Sequence, residues 1–173
     1  MLVLLSVIYP LFIAGVARFA PGKGKGETLS KNGKVVAYKN IGQSFTEDRY
    51  FWGRPSAAGY NAAGSSGSNK GPTNPQYLKT VSDRIDTFLI HNPGIERSRI
   101  PSDLVTSSGS GLDPDISPDG ARVQVRRVAA TRKLDESIVA SLVESHIEKP
   151  LLGLFGPEKI NVLKLNIALD QLK

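Results

Sequence analysis

The chain has 173 residues, 40% hydrophobic and 22% charged, which fits one domain with at most an appendage and excludes wholesale disorder. A net charge of +6 favours anionic partners, but the excess is spread along the sequence and forms no lysine-arginine run. The absence of cysteine excludes a disulfide framework, a thiolate nucleophile and a cysteine-based zinc site.

Met1 to Ala17, MLVLLSVIYPLFIAGVA, carries no charge, and Phe19 and Ala20 extend the run past Arg18. Seventeen helical residues span about 25 Å, the short end for a membrane helix, and Arg18 can snorkel to the interface. Pro10 is tolerated in a spanning helix. A signal peptide or a buried helix are the alternatives. No lysine or arginine precedes the apolar run, which favours an uncleaved anchor over residues 1–20. The positive-inside rule applied to Arg18, Lys23 and Lys25 would place the following domain in the cytoplasm, but long domains translocate largely regardless of charge, so orientation stays open.

Residues 21–34, with GKGKGE, read as a juxtamembrane tether, and residues 35–173 as the main domain. Val35 to Tyr38 predicts a strand and Ile41 to Phe45 a second extended stretch. Residues 53–75 form a long loop rich in glycine, serine, asparagine and proline. Leu78, Val81, Ile85, Phe88 and Leu89 recur at helical spacing until Asn92-Pro93-Gly94. Leu104 to Thr106 suggests a short strand. Ser117-Pro118 starts a helix expected to run to about Arg132. Another is expected from Asp135 to about Ile147, then a strand from Ile160 to Leu165 and a helical turn. The alternation predicts an α/β or α+β domain.

One pattern occurs twice: S-S-G-S-x-x-x-P, at 65–72 and 107–114. Neither copy is a phosphate loop, because Asn69 stands five residues after Gly64 and Lys70 is followed by glycine. No G-x-S-x-G elbow occurs, and the only histidines, His91 and His146, suggest no shared metal. Asp113 and Asp115 in LDPD invite a hard cation, but an Asp-Pro turn is the simpler account. Arg122, Arg126, Arg127, Arg132 and Lys133 fall on one predicted helix. Without interleaved aromatics they read as a solvated or salt-bridged face, not a nucleic-acid patch. Tyr50, Phe51 and Trp52 in YFWGRPS suit either core packing or an interface anchor. The loop residues left as docking or structural candidates fall in three groups. They are Trp52, Gly53, Arg54 and Pro55; Ser68, Asn69, Gly71, Pro72, Asn74 and Pro75; and Ser108, Gly109, Ser110, Gly111, Asp113, Pro114, Ser117 and Pro118.

In chain order, IYPLFIAGVA, IGQSF, YFWGRPSA, GSSGSNKGPTNP, IPSDLVTSSGSGLDPDISP, QVRRVA and INVLKLNIALD closely resemble the C-subunit family of the Kdp potassium-transporting ATPase. Asp115 stands where the family pattern carries a histidine, and the stretch after the apolar run also departs from it. The resemblance implies a single-span cell-membrane subunit whose domain faces the extracytoplasmic side. It implies three partners: a channel-like A subunit selecting potassium, a P-type ATPase B subunit and a small single-span F subunit. It implies a non-catalytic accessory role in assembly and affinity, described in the family as a catalytic chaperone, with ATP and potassium handled by the complex. No cofactor, metal or nucleic acid is expected on the chain itself. The chief alternative is a membrane-tethered nucleotide-binding module, with a tethered hydrolase a distant third.

Overall fold

A computed structural model describes residues 1–31 and 33–172. The chain divides into two compact units, Met1–Asn40 and Ile41–Lys173.

The first unit opens with a wide π-helical turn, Leu4–Ile8, followed by helix α1, Tyr9–Ala17. The Tyr9 N–H reaches back to the Leu4 carbonyl, one residue further than in an α-helix. Pro10 has no N–H to give and its ring crowds the preceding turn, so a locally widened helix accommodates it. The regular helix is therefore shorter than the apolar run. Among the described residues no helix is long and apolar enough to cross a membrane. Residues 21–34, expected as a tether, begin with a 3₁₀ turn, Pro21–Gly24. Strand β1, Thr28–Lys31, pairs antiparallel with β2, Lys34–Tyr38, which contains the expected strand at 35–38. Glu27 and Lys39 form an ion pair at 2.8 Å. No described residue of this unit is buried.

The second unit holds the core. Residues 41–45 are part of no strand. Helix α2, Pro75–His91, starts where Asn74 accepts the Tyr77 N–H at 3.0 Å and Pro75 occupies the first turn. The expected strand at Leu104 is a 3₁₀ turn, Ser102–Leu104. Strand β3, Asp115–Ile116, pairs antiparallel with β4, Ile160–Asn161. The helix expected from Ser117 to Arg132 is broken into α3, Pro118–Arg122, and α4, Val125–Arg132. Helix α5 is Glu136–Ser145, capped by Asp135, and α6 is Val162–Leu169, capped by Asn161. The strand expected over 160–165 therefore stops after two residues, because Asn161 caps a helix at once. With short antiparallel pairs and a helical core, the mixed fold is α+β in character.

Gln124 causes the break between α3 and α4. Its N–H bonds to Ala121 rather than to Gly120, and its side-chain amide takes the Gly120 carbonyl at 2.8 Å instead. Phe51, Val128, Val139, Val143, Leu165 and Leu169 are fully or almost fully buried at the centre of this unit.

Candidate functional site: a surface of paired loops

Phe51 and Trp52 belong to no sheet, so their backbone groups need other partners. Two side-chain amides supply them. Asn166 of α6 accepts the Phe51 N–H at 2.9 Å and donates to its carbonyl at 3.0 Å. Gln124 does the same for Trp52, at 2.8 and 3.2 Å. Each amide imitates one residue of a neighbouring strand. Of the expected solvated or salt-bridged arginine face, Arg127 is not solvated: it is 7% exposed and pairs with Asp48 at 3.7 Å. Its guanidinium donates to Asn92 Oδ1, to Gln124 Oε1 and to the carbonyls of Asp48 and Tyr50, and lies 4.3 Å from the centre of the Trp52 ring. Burial pushes its pKa down to about 10, against the upward pull of Asp48. Two neighbouring arginines also sit in ion pairs, nearer the surface: Arg122 with Asp119 and Glu144, Arg132 with Asp170.

From this frame Gly53, Arg54 and Pro55 run outward to meet the second copy of the repeated pattern, at 107–114. Pro55 accepts the Ser108 N–H at 3.2 Å, and Ser56 donates to the Gly111 carbonyl at 2.6 Å. The two copies touch directly: the Ser66 N–H and the Ser65 hydroxyl both donate to the Ser110 carbonyl, at 3.0 and 2.9 Å. A Cβ on Gly67 would stand 2.9 Å from the Gly109 carbonyl. One on Gly111 would stand 2.8 Å from the Ser66 carbonyl, and Gly111 also has φ +68°. The glycines thus permit backbone-to-backbone approach. Ser108, 3% exposed, accepts the Gly111 N–H at 2.9 Å, and Ser110 Oγ accepts that of Leu112 at 3.1 Å.

Beyond Gly111, Asp113 accepts the Asp115 N–H across Pro114, the Asp-Pro turn that the sequence suggests. Its other oxygen pairs with Arg54 at 3.0 Å, and Asp115 pairs with Lys159 at 2.6 Å. Asp115 holds the Lys159 ammonium above its ordinary pKa. Among the described residues no cluster of three or more acidic or histidine side chains could hold a metal ion. Ser117 caps α3 by accepting the Gly120 N–H at 3.0 Å, with Pro118 in the first turn. In the first copy Ser68 is half-buried, Asn69 adopts φ +51°, and Gly71 and Pro72 are exposed in a turn closed by the Asn74 N–H on the Gly71 carbonyl.

Two clefts flank this surface. One, about 640 Å³, is lined by Trp52, Arg54, Tyr60, Arg84, Phe88 and His91. His91 contacts Asp48 at 2.8 Å. The Tyr60 hydroxyl donates to the Arg54 carbonyl, and burial, with Asp113 nearby, raises its pKa to about 12. The other cleft, about 560 Å³, is lined by Arg54, Asp103, Asp113, Asp115, Ser117, Glu158 and Lys159. Arg54 borders both, and its buried Nε has no partner among the described residues. The structure therefore gathers Trp52 to Pro55 and the 107–118 copy closely. It joins the 65–72 copy at Ser65 to Gly67, leaving Gly71 and Pro72 at the surface. Gln124 and Asn166 were missed as individual residues, although QVRRVA and INVLKLNIALD contain them, and Arg127 was read only as part of a basic helix face.

The family described as KdpC, the K+-transporting ATPase c chain, matches residues 1–171. A potassium-transporting ATPase KdpC subunit of Flavobacterium psychrophilum is 61% identical over 173 residues, covering all of this chain and 93% of the relative. One from Bacteroides fragilis is 57% identical over 174 residues, covering 99% and 91%. One from Caldanaerobacter subterraneus is 48% identical over 169 residues, covering 97% and 88%. The loops just described lie within each of these near-complete matches, and the chain belongs to the KdpC family, the c chain of the K+-transporting ATPase.

Proposed function

We propose that this chain is a non-catalytic accessory subunit of a high-affinity, ATP-driven potassium uptake complex. It supports assembly and stability and raises the affinity of the complex for ATP or potassium by coupling between subunits. The observation that carries this reading is the pair of loops docked backbone to backbone. Their glycines, serines and Asp113 are spent on fixing one another and Arg54, giving a surface of defined shape. Its partners are the channel-like A subunit, the P-type B subunit and the small F subunit.

The uncharged run from Met1 to Ala17 serves as a single-pass anchor, with the main domain on the extracytoplasmic side of the cell membrane. Its large apolar side chains are exposed within the chain, which suits a lipid environment, and Arg18 reaches the interface. Deleting residues 2–20 is expected to abolish co-purification with the potassium-transporting subunits. Unchanged assembly and transport would contradict the anchor.

The second reading, a nucleotide-binding module, draws on the 640 Å³ cleft, where Trp52 and Tyr60 accompany Arg54 and Arg84. One side of Trp52 is already covered by Arg127, which argues against base stacking there. Titrating the full chain with ATP while following Trp52 fluorescence separates the two. Saturable binding lost in Arg54→Ala and Arg84→Ala supports the module; no binding supports the accessory subunit.

A further inference from the structure

Residues 150–157 read PLLGLFGP, eight residues without a polar side chain, and every residue from Leu151 to Lys159 is exposed. Leu151, Leu152, Leu154 and Phe155 are 64–80% exposed. The stretch is nonetheless built. Glu148 and Lys159 exchange both backbone hydrogen bonds at its base, at 2.8 and 3.1 Å, and Leu151 and Phe155 do so nearer the tip, at 3.2 and 3.0 Å. Gly153 and Leu154 donate to the carbonyls of Pro150 and Leu151. Leu152 adopts φ +55°, a conformation disfavoured for a bulky residue, and Gly153 and Gly156 after it also have positive φ.

We infer that this arch is a preformed apolar knob that seats in an apolar recess on another subunit of the same potassium-transporting ATPase. A contiguous exposed patch of this kind marks an interaction surface. Most of its backbone donors are satisfied internally, so it enters a dry recess without stranding them. The choice of a protein recess over a bilayer rests on shape. A lipid surface accepts any apolar outline, whereas a left-handed leucine in a tip closed by the Leu151–Phe155 pair fixes where each side chain projects, as an interface anchor requires. The position agrees. Pro157, Glu158 and Lys159 at the foot of the arch line the 560 Å³ cleft together with Asp113, Asp115 and Ser117, and Lys159 is tied to Asp115. Knob and second loop thus form one continuous surface.

The inference rests on the accessory-subunit reading, and its test keeps the two apart. The chain has no cysteine, so Leu152→Cys gives a single label site. Its maleimide reactivity is compared in the purified full chain, in the full chain in lipid nanodiscs and in the assembled complex. Protection only in the complex is expected, together with an at least tenfold (~10×) loss of co-purifying subunits in Leu154→Ser/Phe155→Ser. The double variant should melt like the parent, since the altered side chains lie outside the core. Equal reactivity in chain and complex overturns the knob. Protection in nanodiscs by the chain alone assigns it to the bilayer, and protection that grows with chain concentration assigns it to a second copy; either overturns the inference. If the parent chain itself never co-purifies, the accessory reading fails instead.

Discussion

The stretches at 65–72 and 107–114 share the pattern S-S-G-S-x-x-x-P, yet Ser108 is 3% exposed while Ser65 and Ser66 stand open to solvent. The second copy rests on the frame around Trp52 and launches α3; the first rests mainly on the second. The same residues therefore serve as a strut in one place and as a displayed edge in the other. What differs is the chain beneath them, not the pattern.

Substitutions that the pattern treats alike should separate widely in their effects. Gly111→Ala meets a backbone carbonyl and the Ala58 methyl, at 2.8 and 2.9 Å, and occupies positive φ. A loss of about 3 kcal/mol is expected in denaturant unfolding, strain and overpacking together. Ser108→Ala strands the Gly111 N–H in a buried position, costing about 2 kcal/mol by the same measurement. Gly67→Ala presses on the Gly109 carbonyl without positive φ, and about 1 kcal/mol is expected because the exposed first copy can shift.

Alkaline pH probes the segment joining Trp52 to the first copy. Burial raises the Tyr60 pKa from 10.0 to about 12, so the folded state retains a proton that the unfolded state releases. The contribution of Tyr60 is intact below pH 10 and lost as pH rises through 12. One phenol should therefore titrate late at 295 nm, and Tyr60→Phe should remove that late step. At the bottom of the scale, Gly71→Ala in the first copy has open space and ordinary φ, and should stay within about 0.5 kcal/mol of the parent.

The sequence announced its caps and turns well. Ser117-Pro118 and Asp113-Pro114 do locally what their residue types dictate, since each needs only neighbours two or three positions away, and Asn74-Pro75, expected in a loop, follows the same rule as the start of α2. Long-range polar contacts were not legible. Gln124 breaks its helix to bind Trp52, 72 residues away, and Asn166 holds Phe51 across 115. Periodicity gives no sign of either. Arg127 looks like another surface cation until Asn92, Gln124 and two carbonyls converge on it. The same limit applies to the loops: the repeat was visible, but their contact required the fold.

The central claim is that the paired loops form a docking surface. Hydrogen–deuterium exchange of the full chain, free and within the assembled potassium-transporting complex, tests it most directly. Slower exchange on assembly is predicted over 52–72 and 107–118, with α5 and α6 unchanged. Loops that exchange equally fast in both states would contradict the claim.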